Sequence, residues 1–240
     1  MQLEGKNSVF EALAAKKELS KILTIANPTD SMSARILRMA REQKVNVQYV
    51  SRAALDSKSV TKKHQNFIAF TEEYNYCSVE DILQNAKEKN KAPFIVVLDG
   101  IQDPHNFGSI IRVCECADVD GIIIPKHRSV GVTETVSRTS AGAINHVKIA
   151  RVTNLNSEIE NLKKQNIWVY ALELGGENIY SQNLTGAIAI VVGSEGFGVS
   201  KLTKNLCDGV LTLPMQGKVN SLNASVACGV AVFEVNRQRY

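Results

Sequence analysis

The feature that most constrains this chain is a series of short apolar runs in its second half. Each empties into a loop with glycine or polar side chains, and helical stretches lie between most of them. The candidate strands are residues 94–99, 121–124, 147–149, 168–172, 187–192 and 210–213. Strands that are apolar throughout and alternate with helices argue a mainly parallel sheet covered on both faces. In open sheets of that kind, ligands collect where strand carboxyl ends meet helix amino ends. Three of the runs end in loops equipped for chemistry. FIVVLD (94–99) leads to Asp103-Pro104-His105-Asn106-Phe107-Gly108 and a helical stretch, 109–117, that carries Arg112. AIAIVV (187–192) leads to Gly193-Ser194-Glu195-Gly196-Phe197-Gly198. The strand ending at Pro214 leads to Asn220-Ser221-Leu222-Asn223 and a small-residue helix over 224–235. Converging on one crevice, these loops would assemble Asn106, Arg112, Glu195, Ser221 and Asn223.

Each of these residues alone has a plainer role. Ser221 and Asn223 are preferred helix caps, Arg112 suits a helix surface, and Glu195 suits a loop acid paired with a helix end. Their joint occurrence carries the functional reading. Rival ligands are poorly served by the same residues. A dinucleotide site needs G-x-G-x-x-G between strand and helix, whereas Gly193, Gly196 and Gly198 have the reversed spacing. A phosphate-binding P-loop needs Ser or Thr after Gly-Lys, and Gly217-Lys218 is followed by Val219. The four histidines, His64, His105, His127 and His146, have no ligand spacing, so no metal is expected.

In order and spacing the three loops resemble the three motifs of the SpoU (TrmH) branch of the SPOUT RNA 2′-O-ribose methyltransferases. These motifs are N-x-G-x-I-x-R, G-S-E-G-x-G and P-M-x-G-x-V-x-S-L-N-x-S-x-A. Ser140-Ala141-Gly142-Ala143 resembles the family's S-A-G-A turn, and Glu4-Gly5-Lys6-Asn7-Ser8-Val9 resembles the opening of its substrate-binding domain. The likeness is greatest to the type that methylates a guanosine 2′-hydroxyl in 23S ribosomal RNA. It implies a SPOUT-type trefoil-knotted α/β sheet, a smaller amino-terminal ribosomal-protein-like α/β domain, and pairing as a homodimer through the carboxyl-terminal domain.

The resemblance also implies S-adenosyl-L-methionine (AdoMet) as cofactor, held at Gly193, Leu213 and Leu222, with the Ser140–Gly142 turn close by. It places Arg112 beside the ribose 2′-hydroxyl, with Asn106, Glu195, Ser221 and Asn223 orienting it and the substrate. An arginine has a pKa above 12, so a role in stabilising the developing alkoxide and holding the adjacent phosphate suits Arg112 better than that of a base. A tRNA methyltransferase and a non-catalytic RNA-binding protein are the alternative functions. Two positions depart from the family pattern. His64-Gln65-Asn66 stands where H-Q-G is usual, and Asn220 fills a variable position often held by an acid.

A chain of 240 residues with 44% hydrophobic content can bury one sizeable core and a smaller one. Local chemistry sets boundaries at 1–70, at a linker with a short helix (71–93) and at 94–240, and the resemblance implies that the first is an RNA substrate-binding domain and the last a SPOUT methyltransferase catalytic domain. In the first domain, helical periodicity covers 9–15 and 33–42, and strands are expected at 22–25, 45–50 and 67–70. Ser78 and Asp81 mark the start of the linker helix, which runs over 79–89. Residues 1–93 carry 15 Lys plus Arg against 11 Asp plus Glu, while the remainder carries 13 of each. The surplus that could meet phosphates therefore lies in the amino-terminal part. Five cysteines without a CxxC pair suit a reducing cytoplasm, and no apolar run is long enough to cross a bilayer.

Overall fold

The computed structural model describes residues 2–26, 30–71, 74–218 and 221–240. Residues 1–74 and 75–240 form separate units. In the first, the elements run β1 (Gln2–Glu4), α1 (Lys6–Ala14), β2 (Leu19–Thr24), α2 (Ser31–Glu42), β3 (Asn46–Tyr49), α3 (Arg52–Lys58) and β4 (Phe67–Thr71). The sheet order is β1-β4-β2-β3, with β4 antiparallel to both neighbours and β3 parallel to β2. Successive strand residues face opposite ways. Ile22, Phe67 and Ala69 accordingly pack with Val9 and Leu13 of α1 and Ile36 and Ala40 of α2, while Leu23 and Ile68 meet Leu55 of α3 on the other face.

All five expected elements of this unit are present, and two more appear. β1 is a three-residue edge strand, too short to show alternation. In α3 the only buried residue is Leu55, so no periodic apolar stripe marks the helix. The Glu4 carboxylate ties β1 to the following loop by accepting from Val60 N (2.6 Å), Thr61 N (3.0 Å), Ser59 Oγ (2.8 Å) and Thr61 Oγ1. Desolvation pushes its pKa up, but these hydrogen bonds outweigh it and bring the pKa down to about 2.

The second unit begins with α4 (Val79–Glu88), β5 (Phe94–Asp99), α5 (Pro104–Cys116), β6 (Gly121–Pro125) and α6 (Glu134–Thr139). It continues with β7 (Lys148–Val152), α7 (Leu155–Lys164), β8 (Trp168–Asn178), β9 (Ile188–Gly193), α8 (Lys201–Leu206), β10 (Gly209–Thr212) and α9 (Ala224–Arg239). Its six strands are ordered β10-β8-β9-β5-β6-β7, and every neighbouring pair is parallel. One face packs on α4 and α7 through Ile82, Leu83, Ile159 and Leu162, which meet Val97, Ile123, Val169 and Val191. α9 packs against β8, β9 and α5. Among the described residues no helix is long and apolar enough to cross a membrane.

The segment expected as a linker divides. Residues 75–93 cluster with the second unit, because Val79, Ile82 and Leu83 lie in its core and Cys77 pairs with Ala150 beside β7. The helix start is as the spacing predicts. Ser78 Oγ accepts from Asp81 N (3.1 Å), and Asp81 accepts from Ser78 N (2.8 Å), which is a capping box. β8 differs more from expectation, extending to Asn178 where the sequence suggested an end at residue 172. Its pairing with β10 jumps from Val210↔Ala171 to Leu211↔Glu177, so residues 172–176 bulge out of the ladder. Thr212 secures the bulge, accepting from Gly176 N (2.7 Å) and donating to the Glu173 carbonyl (2.7 Å).

Candidate active site

The bulge of β8, the turn after β9 and the segment after β10 wall one cleft of about 570 Å³ at the carboxyl edge of the sheet. The expected residues Gly193, Glu195, Leu213, Ser221, Leu222 and Asn223 all line it. Asn220 lies outside the described residues.

Asn223 is where the three motif segments meet. Its Oδ1 caps α9, accepting from Ser225 N (3.0 Å) and Val226 N (3.3 Å). The amide nitrogen is thereby turned the other way, and it donates to Asn106 Oδ1 (2.9 Å) and to Glu195 Oε1. The capping role and the site role of Asn223 are therefore two ends of one amide. Aspartate could fill the first but not the second. Asn106 reaches the junction from the first turn of α5, where it is 7% exposed.

The turn after β9 is fixed by backbone. Ser194 and Gly198 exchange both hydrogen bonds, Ser194 N to Gly198 O (3.1 Å) and Gly198 N to Ser194 O (2.9 Å). A Cβ on Gly193 would stand 2.0 Å from the Gly198 carbonyl carbon, so glycine alone permits this closure. Gly198 has φ +64°, and a Cβ there would meet the Glu173 carboxylate at 2.0 Å. That carboxylate in turn accepts from Val199 N (3.0 Å).

Four expected residues, Asn106 at the junction and Arg112, Ser140 and Gly142, stand outside the described cleft lining. Arg112 is exposed on α5, six residues beyond Asn106, which is about 9 Å along the axis and about 120° around it. Ser140 is fully buried at the end of α6, with its hydroxyl donated to Ser137 O (2.8 Å). Gly142 is in the left-handed conformation (φ +92°) at the following turn. Glu173, Phe197 and Met215 are among the lining residues not expected as site residues. Glu173 follows directly on the expected strand 168–172, so the strand-end rule applied to that run would have found it.

The cleft is apolar on Leu172, Val192, Leu213 and Ala227 and carries two carboxylates, Glu173 and Glu195. No Lys or Arg is among the described residues lining it. Its volume suits a nucleoside-sized ligand, the apolar walls suit a ring, and the carboxylates suit a positive charge. Gly196, at φ +83° with no heavy atom within 4 Å of a built Cβ, leaves the mouth open. These residues fit a nucleoside sulfonium such as AdoMet.

A parallel α/β sheet whose strand-end loops gather on one junction at its carboxyl edge is the architecture of a nucleotide- or cofactor-binding type of protein, and comparison with known proteins gives the family. Residues 93–233 match the model of the SpoU rRNA methylase family, and residues 2–77 match that of the RNA 2′-O ribose methyltransferase substrate-binding domain. YacO of Bacillus subtilis (strain 168), assigned to the TrmH family of tRNA/rRNA methyltransferases, is 42% identical over 237 residues, covering 98% of this chain and 94% of the relative. The chain belongs to the SpoU family of RNA methyltransferases. Among the solved structures that share its fold are two with AdoMet bound. One is the SpoU methyltransferase AviRb from Streptomyces viridochromogenes in complex with AdoMet (TM-score 0.65, 20% identity, 100% of this chain and 90% of that one). The other is an AdoMet-bound rRNA methyltransferase from Sinorhizobium meliloti (TM-score 0.64, 20% identity, 100% and 87%).

Proposed function

We propose that this protein transfers a methyl group from AdoMet to a ribose 2′-hydroxyl of RNA, with a guanosine of 23S ribosomal RNA as the target. The observation that carries the reading is the Asn223 junction, which joins all three motif segments at the mouth of a cleft with no Lys or Arg among its described lining residues. AdoMet is the methyl donor of the SpoU family, and when bound it supplies an electrophilic methyl on a sulfonium sulfur.

In this chain Leu213 and Leu222, which line the cleft, would wall the ring, the backbone at Gly193 would meet its polar edge, and Glu195 would face the positive charge. Ser140 and Gly142 set the turn beside α5 that backs the site. In-line transfer needs the 2′-oxygen held in line with the methyl group and the sulfur. Asn106, Ser221 and Asn223 hold that alignment. Arg112 supplies a cation, absent among the described lining residues, that stabilises the alkoxide as it forms and grips the adjacent phosphate.

The basic surplus in residues 1–93 supports RNA binding by the first unit. We also place the protein in the cytoplasm, a compartment that suits its five free cysteines. We also infer a trefoil knot, which the shared lining of one cleft by Leu213, Ser221, Asn223 and the β8 bulge supports. Val226 and Phe233, about half exposed on α9, support a homodimer through that helix, and sedimentation at micromolar concentration reads a dimer.

Calorimetry tests the cofactor assignment. AdoMet binds one site per chain, and Gly193→Ala, which closes the turn's space, abolishes the heat. Absence of AdoMet binding by the wild-type protein contradicts the reading and leaves an RNA-binding role in its place.

A further inference from the structure

Phe197 is 91% exposed, whereas Phe67, Phe94 and Phe107 are essentially buried. It is not on a frayed end. It sits at the tip of the turn after β9, inside the two-way hydrogen-bonded bridge of Ser194 and Gly198, between Gly196 and Gly198 in left-handed conformation. The same turn carries Glu195, which accepts from the Asn223 amide. The backbone that fixes the junction thus also fixes the ring, at the lip of the cleft it helps to line. A large apolar ring held in water forfeits its burial free energy, and no part of the described fold covers this one.

We propose that Phe197 is the stacking platform for a nucleobase of the substrate RNA, either the base of the methylated nucleotide or its immediate neighbour. The inference rests on the reading of the cleft as the site of 2′-hydroxyl methylation. If a ribose must reach the cleft mouth, its base is carried there as well, and an unstacked base needs a new partner for its faces. Proteins that bind unpaired RNA supply that partner with aromatic side chains. The chemistry is tolerant of which base is stacked, so Phe197 positions the nucleotide, and base identity is read by other groups. Leu174 and Leu222, 47% and 40% exposed, line the same cleft and add to its exposed apolar surface.

The test compares Phe197→Ala, Phe197→Leu, Phe197→Tyr and Phe197→Trp with the wild type. It uses total RNA from a strain lacking the gene and labelled AdoMet, after wild-type transfer to that RNA has been measured. The Ala and Leu variants raise KM for RNA at least about fivefold with kcat changed less. The Tyr and Trp variants stay within about twofold of wild type, and all four bind AdoMet in calorimetry as the wild type does. Wild-type KM for RNA in the Leu variant overturns the proposal, because it makes any apolar group sufficient. Lost AdoMet affinity in the Ala variant also overturns it, by making the ring a cover for the cofactor. So does a change in sedimentation that accounts for the lost activity, by making the ring a subunit contact. Failure of the wild-type protein to label ribose in any RNA instead overturns the parent reading, and is seen before any variant is made.

Discussion

At the scale of single residues, Asn223 is at once the cap of α9 and the meeting point of three segments, and substitutions separate its part in stability from the part in chemistry proposed for it. Asn223→Ala removes the cap of α9 and costs about 1 kcal/mol. Asn223→Asp keeps an oxygen for Ser225 N and Val226 N but offers no donor to Asn106, and it sets a second carboxylate against Glu195. The expected outcome is a lower melting temperature for the alanine variant and a smaller change for aspartate, while both lose about 100-fold in methyl transfer through misalignment. An active aspartate variant would contradict the proposed function of the junction. Arg112 is exposed, so Arg112→Lys leaves stability within about 0.5 kcal/mol. Turnover nevertheless falls by about 100-fold if the planar fork of the guanidinium matters. Near-normal kinetics in that variant would leave Arg112 only its charge. The identities of Asn106, Glu195, Ser221 and Asn223 were legible because they recur in one order along the chain. That one amide joins two of the segments to its own was not, because the direction of an amide is set by its surroundings.

At the scale of elements, the strands of the second unit were legible because they are apolar on both faces. The exception was β8, whose polar, glycine-bearing half at 173–178 reads as loop chemistry and is held in the sheet by Thr212 and the shifted pairing with β10. The linker helix was legible as a helix, from Ser78 and Asp81. Its membership of the second core was not, since an amphipathic stripe does not name the surface that covers it. β1 and α3 lacked any pattern to read, and both are secured through the loop at 59–61, held by Glu4. That loop carries a pH prediction. The folded pKa of Glu4, about 2, lies below the ordinary glutamate value of 4.5, so its contribution to stability is present above about 4.5 and is lost as pH falls towards about 2. Asp30 and Asp56 are also shifted downward, by hydrogen bonds led by Lys6 and His64 respectively, so the reading is a difference between proteins. Glu4→Gln lowers the melting temperature at pH 7, and its deficit against wild type shrinks between pH 4.5 and 2 in circular-dichroism melts. A deficit that is constant with pH would refute the ionic role.

At the scale of the whole molecule, two units with different duties follow from the chain's own chemistry. The positive surplus lies in residues 1–93, the domain match to RNA 2′-O ribose methyltransferase substrate binding spans 2–77, and the cleft lies wholly in the second unit. A carboxylate-lined cleft suits a cationic donor and repels phosphate, so under the proposed function the RNA is gripped elsewhere and presents only a nucleotide to the lip. The fold class was legible from strand and helix alternation, and the family from the three motifs. The choice of RNA was not, because phosphate contacts carry no sequence information. The most direct measurement is nucleoside mass spectrometry of RNA from a strain lacking the gene, after incubation with the purified protein and isotopically labelled AdoMet. The account predicts label in 2′-O-methylguanosine at one position of 23S ribosomal RNA. Label on a base, or no label in any RNA, would contradict it.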